Sequence, residues 1–582
     1  MEFLYNKLIK CVVLIQRIAR MLFAVPERRA YIGLALLGSG LLVFNTFFSL
    51  TRRVIHGDLV AQQLMVQQWT TGVEHIYATA EATNYILKFP LYWVMEQLVN
   101  SPLATVVATA IILNIVGWGL TWFSLYKILV LVGWSTKLTR AALAIMMTYV
   151  AVISDSVYWI LFPNSRNLEV ALMVFVLYGV LWAAKSAGRL KWYSYVLLSM
   201  AFGAIFINDL MAMALVAAPL GLFFLIKLLV AISRKAAYEE AIGYVAPLVI
   251  IGLGAVIYKV LNRYVLSRIF VTPDKADGSS IPDVSSALDT VAGLVFSALH
   301  QLGLNVFGRP LVALDTIPYL INWLIVGVAV YAILKVRKNV QFRNDTNLQA
   351  VACVVALLPV IIFLTGFSST ESVDIGSARY MIILPFLCML IFVGALRYLN
   401  RRFAKNLLIG LMLLVMSTTV VFCGAYGRET AAGVRSEVWR SGNTRLYELI
   451  DVVKRYSVDK GYSSIQTAQS VTYFTDQRTL MLPVACDESL NTRPVQYASD
   501  WLIEASTLFK SSRRTAIEVD TKPSDYNSCS LDVVKRQVGT DGLVAEEKIN
   551  GGNQTVLIYD RDILYNLRPK TRDEYLRYLN QL

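Results

Sequence analysis

Long apolar runs, each cut short by a cluster of charged residues, dominate this chain. About 20 mostly apolar residues cross a bilayer as one helix. Eleven such runs fall near 31–50, 104–132, 141–162, 168–184, 193–208, 210–231, 242–260, 312–334, 348–366, 380–397 and 406–425, the fifth being short. Ahead of them Leu4, Leu8, Val12, Ile15, Ile18 and Leu22 recur every three or four residues, with Lys7, Lys10, Arg17 and Arg20 on other faces. That pattern predicts an amphipathic helix over residues 1–30, lying on the cytoplasmic membrane surface. Arg17 and Arg20 interrupt the run and no cleavage site follows, so it does not read as a signal peptide.

The basic residues between the runs set an orientation. One set of alternate loops contains Lys137 and Arg140; Lys185, Arg189 and Lys191; Arg234 and Lys235; Lys335, Arg337, Lys338 and Arg343; and Arg397, Arg401, Arg402 and Lys405. All are short and basic, as cytoplasmic loops are. Arg52 and Arg53 depart from the rule, but six basic residues precede the first run. Eleven crossings then put the N-terminus inside and the C-terminal region outside.

Two outer loops are long. Residues 51–103 are rich in Gln, Thr, Tyr and Trp and predict short interfacial helices. Residues 261–311 carry a Pro273-to-Gly278 tip and an amphipathic stretch from Val284 to Leu304. From about 428 the pattern changes to a mixed, soluble one. Thr444–Lys460 reads as a helix, followed by short apolar runs at Ser464–Ala468, Leu480–Cys486, Thr515–Val519, Leu543–Glu547 and Thr555–Tyr559. Helical stretches fall around Tyr497–Leu508 and Leu531–Val538. The alternation predicts a small α/β domain over 428–582, with 31–427 as the transmembrane domain. No nucleophile elbow, phosphate loop or dinucleotide fingerprint occurs in the C-terminal α/β domain.

Composition agrees with the pattern. Of 582 residues 56% are hydrophobic, 16% are charged and the mean hydropathy is +0.55; a soluble chain would have about 25% charged residues. The net charge of +14 sits in short loops that orient the protein, so no nucleic-acid partner is expected. With three histidines and no Cys-x-x-Cys, no structural metal site is expected. Cys11, Cys353, Cys388 and Cys423 lie in or beside apolar runs, whereas Cys486 and Cys529 lie in the soluble region, where an extracytoplasmic location would permit a disulfide.

Candidate chemistry collects in the outer loops. His56-Gly57-Asp58 follows the first run, and a carboxylate there suits removal of a proton from an acceptor hydroxyl; a solvated loop acid is the plainer reading. Tyr85 and Lys88 lie in Asn84–Tyr92, an aromatic cluster of the interfacial kind whose lysine could meet a phosphate. Arg166 and Glu169 flank the outer turn between the third and fourth runs, where the arginine fork suits a phosphate and a local Arg166–Glu169 pair is the alternative. Asn208-Asp209 separates two runs with almost no loop, so an acid sits near hydrocarbon; a helix cap competes with a functional role. Arg379 opens the tenth run, as a phosphate partner or a headgroup anchor.

This ordered series resembles the GT-C superfamily of polytopic glycosyltransferases, which includes protein mannosyltransferases and the bacterial aminoarabinose transferase. The likeness rests on Gly57-Asp58, Lys88–Tyr92, Arg166–Glu169, Asn208-Asp209 and Ala378-Arg379-Tyr380, and covers most of 30–400. It implies a multi-pass plasma-membrane enzyme of bacterial type with a GT-C-like bundle and an extracytoplasmic C-terminal α/β domain. It implies a polyprenyl-phosphate-linked sugar as donor and a glycan, lipid or protein acceptor, with transfer by inversion and Asp58 as the catalytic base. Arg166, Arg379, Lys88, Tyr85 and His56 would bind the donor and its phosphate, with Glu169 and Asp209 in support. Many relatives carry two adjacent acids in the first loop, but Leu59 follows Asp58 here. No cofactor is therefore expected, a divalent metal being the alternative. Two other readings stay open: a lipid-linked saccharide flippase or transporter, and an inactive binding scaffold.

Overall fold

The computed structural model describes residues 37–38, 40, 60, 63–64, 66–67, 76–78, 87–99, 101–152, 167–187, 191–266, 270–271, 284–306, 316–368, 381–433, 444–486, 490–492, 497–499, 511–520, 529–567, 571 and 574. In chain order the principal helices are α1 (Phe89–Leu98), α2 (Pro102–Leu131), α3 (Lys137–Val152), α4 (Asn167–Ser186), α5 (Trp192–Asn208), α6 (Leu210–Ser233), α7 (Tyr238–Leu266), α8 (Val284–Gln301), α9 (Ile317–Val336), α10 (Thr346–Ser368), α11 (Leu384–Leu396), α12 (Arg401–Gly433), α13 (Thr444–Arg455), α14 (Ile465–Phe474) and α15 (Leu531–Val538). Among the described residues seven of these, α2, α4, α6, α7, α9, α10 and α12, are long and apolar enough to cross a membrane, and α5 and α11 are shorter apolar helices.

The outward faces show which solvent these helices suit. On α7, Val245, Val249, Leu253, Val256 and Val260 are exposed at steps of three and four, opposite buried Ala246, Ile250 and Gly254. On α5 the exposed stripe is Tyr193, Val196, Leu197 and Met200. Water would penalise such stripes by about 25 cal/mol per Å² of apolar surface, whereas hydrocarbon does not. The protein is membrane-embedded. By contrast α11 is buried nearly all round, through Phe386, Leu387, Met389, Leu390, Phe392 and Val393, and packs against α3, α8, α9 and α10. It is apolar on every face because no face meets a polar phase.

The chain forms two compact units. One comprises Met1–Phe47, Leu113–Tyr258 and Ser279–Ala431; the other comprises Phe48–Ile112, Lys259–Gly278 and Ala432–Leu582. In the first, α4, α5 and α7 meet around Phe202. A Cβ on Gly254 would lie 2.8 Å from the Phe202 Cβ, and one on Gly179 would lie 2.9 Å from its ring. Glycine is what lets these backbones approach. At the ends bearing the basic loops, Asp345 joins three segments. Its Oδ2 accepts from Trp134 Nε1 at 2.9 Å and Tyr398 OH at 2.7 Å, and its Oδ1 caps α10 by accepting from the backbone N–H groups of Asn347 and Leu348.

The second unit contains two sheets. Strands β1 (Ile76–Ala78), β2 (Phe270–Val271) and β6 (Tyr497–Ser499) pair in the order β2-β1-β6, β1 being parallel to β2 and antiparallel to β6. The larger sheet has the order β5-β4-β3-β7-β9-β8, built from β3 (Lys460–Ser463), β4 (Leu480–Cys486), β5 (Leu490–Thr492), β7 (Thr515–Asp520), β8 (Leu543–Ile549) and β9 (Gln554–Tyr559). Its core includes Tyr462, Leu482, Ile517, Val534 and Leu557. Glu518 is buried in it, paired with Arg445 of α13 at 2.6 Å and accepting from Ser463 Oγ.

Some expectations shift. The Ser464–Ala468 run begins α14 instead of forming a strand, because Ala468 and Val471 continue it at helical spacing and are buried. The strand lies one step earlier, at Lys460–Ser463. Tyr497–Ser499, expected to open a helix, is a strand because distant Ile76–Ala78 offers it a partner. The expected α13 stops at Arg455 instead of Lys460. The long outer loops, expected as part of the membrane domain, cluster in good part with the C-terminal region. Cys529 is disulfide-bonded, and Cys353 and Cys388 are free thiols. The expected helix over 1–30 lies outside the described residues.

Candidate functional site

Of the residues singled out in the sequence, His56, Asp58, Tyr85, Arg166 and Arg379 lie outside the described residues. Lys88, Glu169 and Asp209 lie within them, and all three are buried. Lys88 belongs to the second unit, and Glu169 and Asp209 to the first.

Lys88 takes the capping position ahead of α1. Its carbonyl accepts from the backbone N–H groups of Leu91 and Tyr92, at 3.0 and 3.1 Å, and Pro90 in the first turn needs no hydrogen bond there. The side chain is wholly enclosed, as is Tyr92 one turn on. Two turns along the same helix, Glu96 accepts from Tyr473 OH of α14 at 2.6 Å, with Gln67 Nε2 at 3.5 Å on its other oxygen. Thr105 of α2 also meets the Tyr473 hydroxyl. Burial raises the Glu96 carboxyl above its ordinary range, partly offset by these hydrogen bonds, and Asp476 raises it further.

Glu169 sits in the first turn of α4, where a negative charge meets the positive end of the helix dipole. Asp209 sits where α5 ends. Its backbone is extended (φ −149°, ψ 106°), and its Oδ1 accepts from Met211 N at 2.9 Å, capping α6. α4 and α5 pack on each other and are joined by a short connection, so the start of one and the end of the other share an end of the pair. α4 also packs on the first turns of α6, including its π-turn at Met213–Ala217. The fold thus brings the two buried carboxyls to one end of neighbouring helices. Burying such a group costs several kcal/mol unless it has partners, so acids in this setting usually serve a ligand or a mechanism.

The sequence reading missed a second polar group in the same unit. Along α8 the buried positions are Thr290, Leu294, Ser297 and Gln301, spaced by four, three and four, whereas Leu288, Val291, Val295 and Phe296 are exposed. The helix therefore presents a polar stripe inward and an apolar face outward. A turn at Leu302–Leu304 follows it, with Gly303 at a φ of +63° that suits glycine. The three carbonyls of this turn are each held from outside: Leu302 O by Tyr149 OH, Gly303 O by Asn322 Nδ2 and Leu304 O by Trp323 Nε1, all at 3.0 Å. A polar stripe in an otherwise apolar stretch was legible at Val284–Leu304, but its inward direction was not.

Among the described residues no group of three or more His, Cys, Asp or Glu side chains is arranged to hold a metal. No family model matches this chain, and neither does any curated protein or solved structure with which it was compared.

Proposed function

We propose that this protein is an integral-membrane glycosyltransferase that moves a sugar from a polyprenyl-phosphate-linked donor to an acceptor at the extracytoplasmic face. Asp58 is the general base, taking the acceptor proton as the hydroxyl attacks the anomeric carbon and the lipid phosphate departs. Arg166, Arg379 and Lys88 receive the phosphate, with Tyr85 and His56 beside the donor, and Glu169 and Asp209 orient the sugar or the arginines. The observation that carries this reading is the burial of Glu169 and Asp209 together at one end of the α4–α5 pair.

Orientation has independent support. Strands of one sheet must lie on one side of a bilayer, so pairing of β1 with β2 and β6 demands an even number of crossings between β1 and β2, and again between β2 and β6. The eleven-crossing reading has six and four. α5 and α6 together are too long for one crossing of a hydrocarbon core of about 30 Å, which favours reading the turn at Asp209 as the boundary between two. The contacts of Asp345 join three loops of the expected cytoplasmic set. The Cys529 disulfide suits an oxidising, extracytoplasmic compartment.

The test is transfer by the purified protein in nanodiscs, supplied with polyprenyl-phosphate monosaccharides and candidate acceptors. Asp58→Asn should lower transfer by about 10²- to 10⁴-fold, the usual contribution of a general base. Wild-type turnover by a folded Asp58→Asn protein would remove Asp58 from this role. Movement of lipid-linked sugar across proteoliposomes without a covalent product would replace the enzyme reading with transport.

A further inference from the structure

The polar interior at the end of α8 has chemistry of its own. Ser297 is 1% exposed and Asn322 is 2% exposed, yet Ser297 Oγ and Asn322 Oδ1 meet no hydrogen-bond partner among the described residues. Both belong to the first unit, Ser297 one turn before the end of α8 and Asn322 in the second turn of α9. Asn322 Nδ2 is already committed to Gly303 O, which fixes the amide so that its remaining atom is an acceptor. Satisfied buried polar atoms are the rule, and exceptions signal a missing partner. The missing partner here must donate a hydrogen bond to Asn322 Oδ1. A deprotonated phosphate has only acceptor oxygens and cannot do so, whereas a hydroxyl donates to the amide and exchanges either way with Ser297 Oγ.

The surroundings suit an uncharged guest. The buried stripe of α8 contains Thr290, Leu294, Ser297 and Gln301 and no charged side chain, and Asp289 is on the exposed side. The turn that follows is held at three successive carbonyls by side chains from α3 and α9, and such rigid support is what a binding group needs to keep its aim. Buried hydroxyls without a partner among the described residues also occur at Thr109, Ser124, Ser199 and Thr555; Ser297 differs in belonging to the helix whose terminal turn Asn322 braces.

The geometry points to a subsite formed by Ser297, Asn322 and the Leu302–Leu304 turn that binds an uncharged, hydroxyl-bearing group, the glycosyl part of the substrate. The assignment of that hydroxyl group to the donor sugar rests on the proposed glycosyltransferase reading. Division of labour follows: the arginines and Lys88 serve the phosphate, and this subsite serves the sugar.

Binding of two lipid probes to the full-length protein in nanodiscs tests this. One probe is polyprenyl phosphate, and the other is a panel of polyprenyl-phosphate monosaccharides carrying mannose, glucose, galactose, N-acetylglucosamine or an aminopentose. Ser297→Ala and Asn322→Ser should each weaken the preferred sugar-bearing probe about three- to tenfold, the usual effect of one lost neutral hydrogen bond, and leave polyprenyl phosphate unchanged. Ser199→Ala should change neither. Ser297→Ala removes no observed protein contact, so it should melt with the wild type and keep the test valid if Asn322→Ser is unstable. Equal effects on both probes, or none on either, would overturn the subsite alone. A wild type that binds polyprenyl phosphate but gains nothing from any attached sugar would do the same. A wild type that binds neither probe would overturn the donor reading and the subsite with it.

Discussion

At the scale of single residues, one carboxylate organises each of the two units. Asp345 accepts two side-chain hydrogen bonds and caps α10, so Asp345→Ala leaves the Trp134 indole and the α10 N-terminus unserved. We expect a loss of about 2–3 kcal/mol, combining a cap with a buried donor, read as a lower thermal unfolding midpoint in detergent. Tyr398 reports the same contact. Burial first, then the hydrogen bond to Asp345 and its negative charge, push the phenol up to about 12. Asp345→Asn removes the charge and should bring the phenol back towards 10, measurable by ultraviolet absorbance titration. In the second unit Arg445 neutralises buried Glu518. Arg445→Met should destabilise the larger sheet by roughly 3 kcal/mol, since it strands an interior charge. The double variant Arg445→Met/Glu518→Gln should recover most of that in a denaturant titration.

At the scale of elements, the attachment of α1 to α14 is a contact that pH can tune. Folding holds the Glu96 proton above the ordinary value of 4.5. Between that value and the raised one the folded state binds more protons than the unfolded chain, so stability falls as pH rises. The contribution is complete below 4.5 and lost as pH passes the raised value. Hydrogen exchange of α1, corrected for intrinsic rates, should show protection decreasing across that window, and Glu96→Gln should flatten the dependence while keeping an acceptor for Tyr473. Packing in the first unit is tested at Gly254. Gly254→Val would drive a methyl into Phe202 and cost about 1–3 kcal/mol through overpacking. Gly252→Val, with nothing within 4 Å of its Cβ, is the matched control.

At the scale of the molecule, the proposed orientation makes one demand. Residues in the two long loops and in the C-terminal sheet must be labelled from the same side of a sealed vesicle, because β1, β2 and β6 share a sheet. Single cysteines at Asp289 and Val544, both exposed, should react with an impermeant maleimide from that side, and one at Arg343 from the other. Labelling of Asp289 and Arg343 from the same side would sink the eleven-crossing topology. Much of this architecture was legible in the chain. The apolar runs anticipated α2, α9 and α10 to within a few residues, and Leu531–Val538 was read with the bounds of α15. The candidate site was legible only as residue types along the outer loops. Burial of Lys88, Glu169 and Asp209 depends on neighbours that no local pattern encodes.

The amino-acid order determined by itself that this is a membrane-embedded protein with a soluble C-terminal region, because hydrocarbon selects contiguous segments by their own composition. Tertiary structure alone decided that the first long loop pairs both with the second and with that region, that Tyr473 reaches a glutamate 377 residues away, and that α8 turns its polar stripe inward. Those outcomes arise from backbone pairing and burial between distant segments, which leave no periodic trace in either partner.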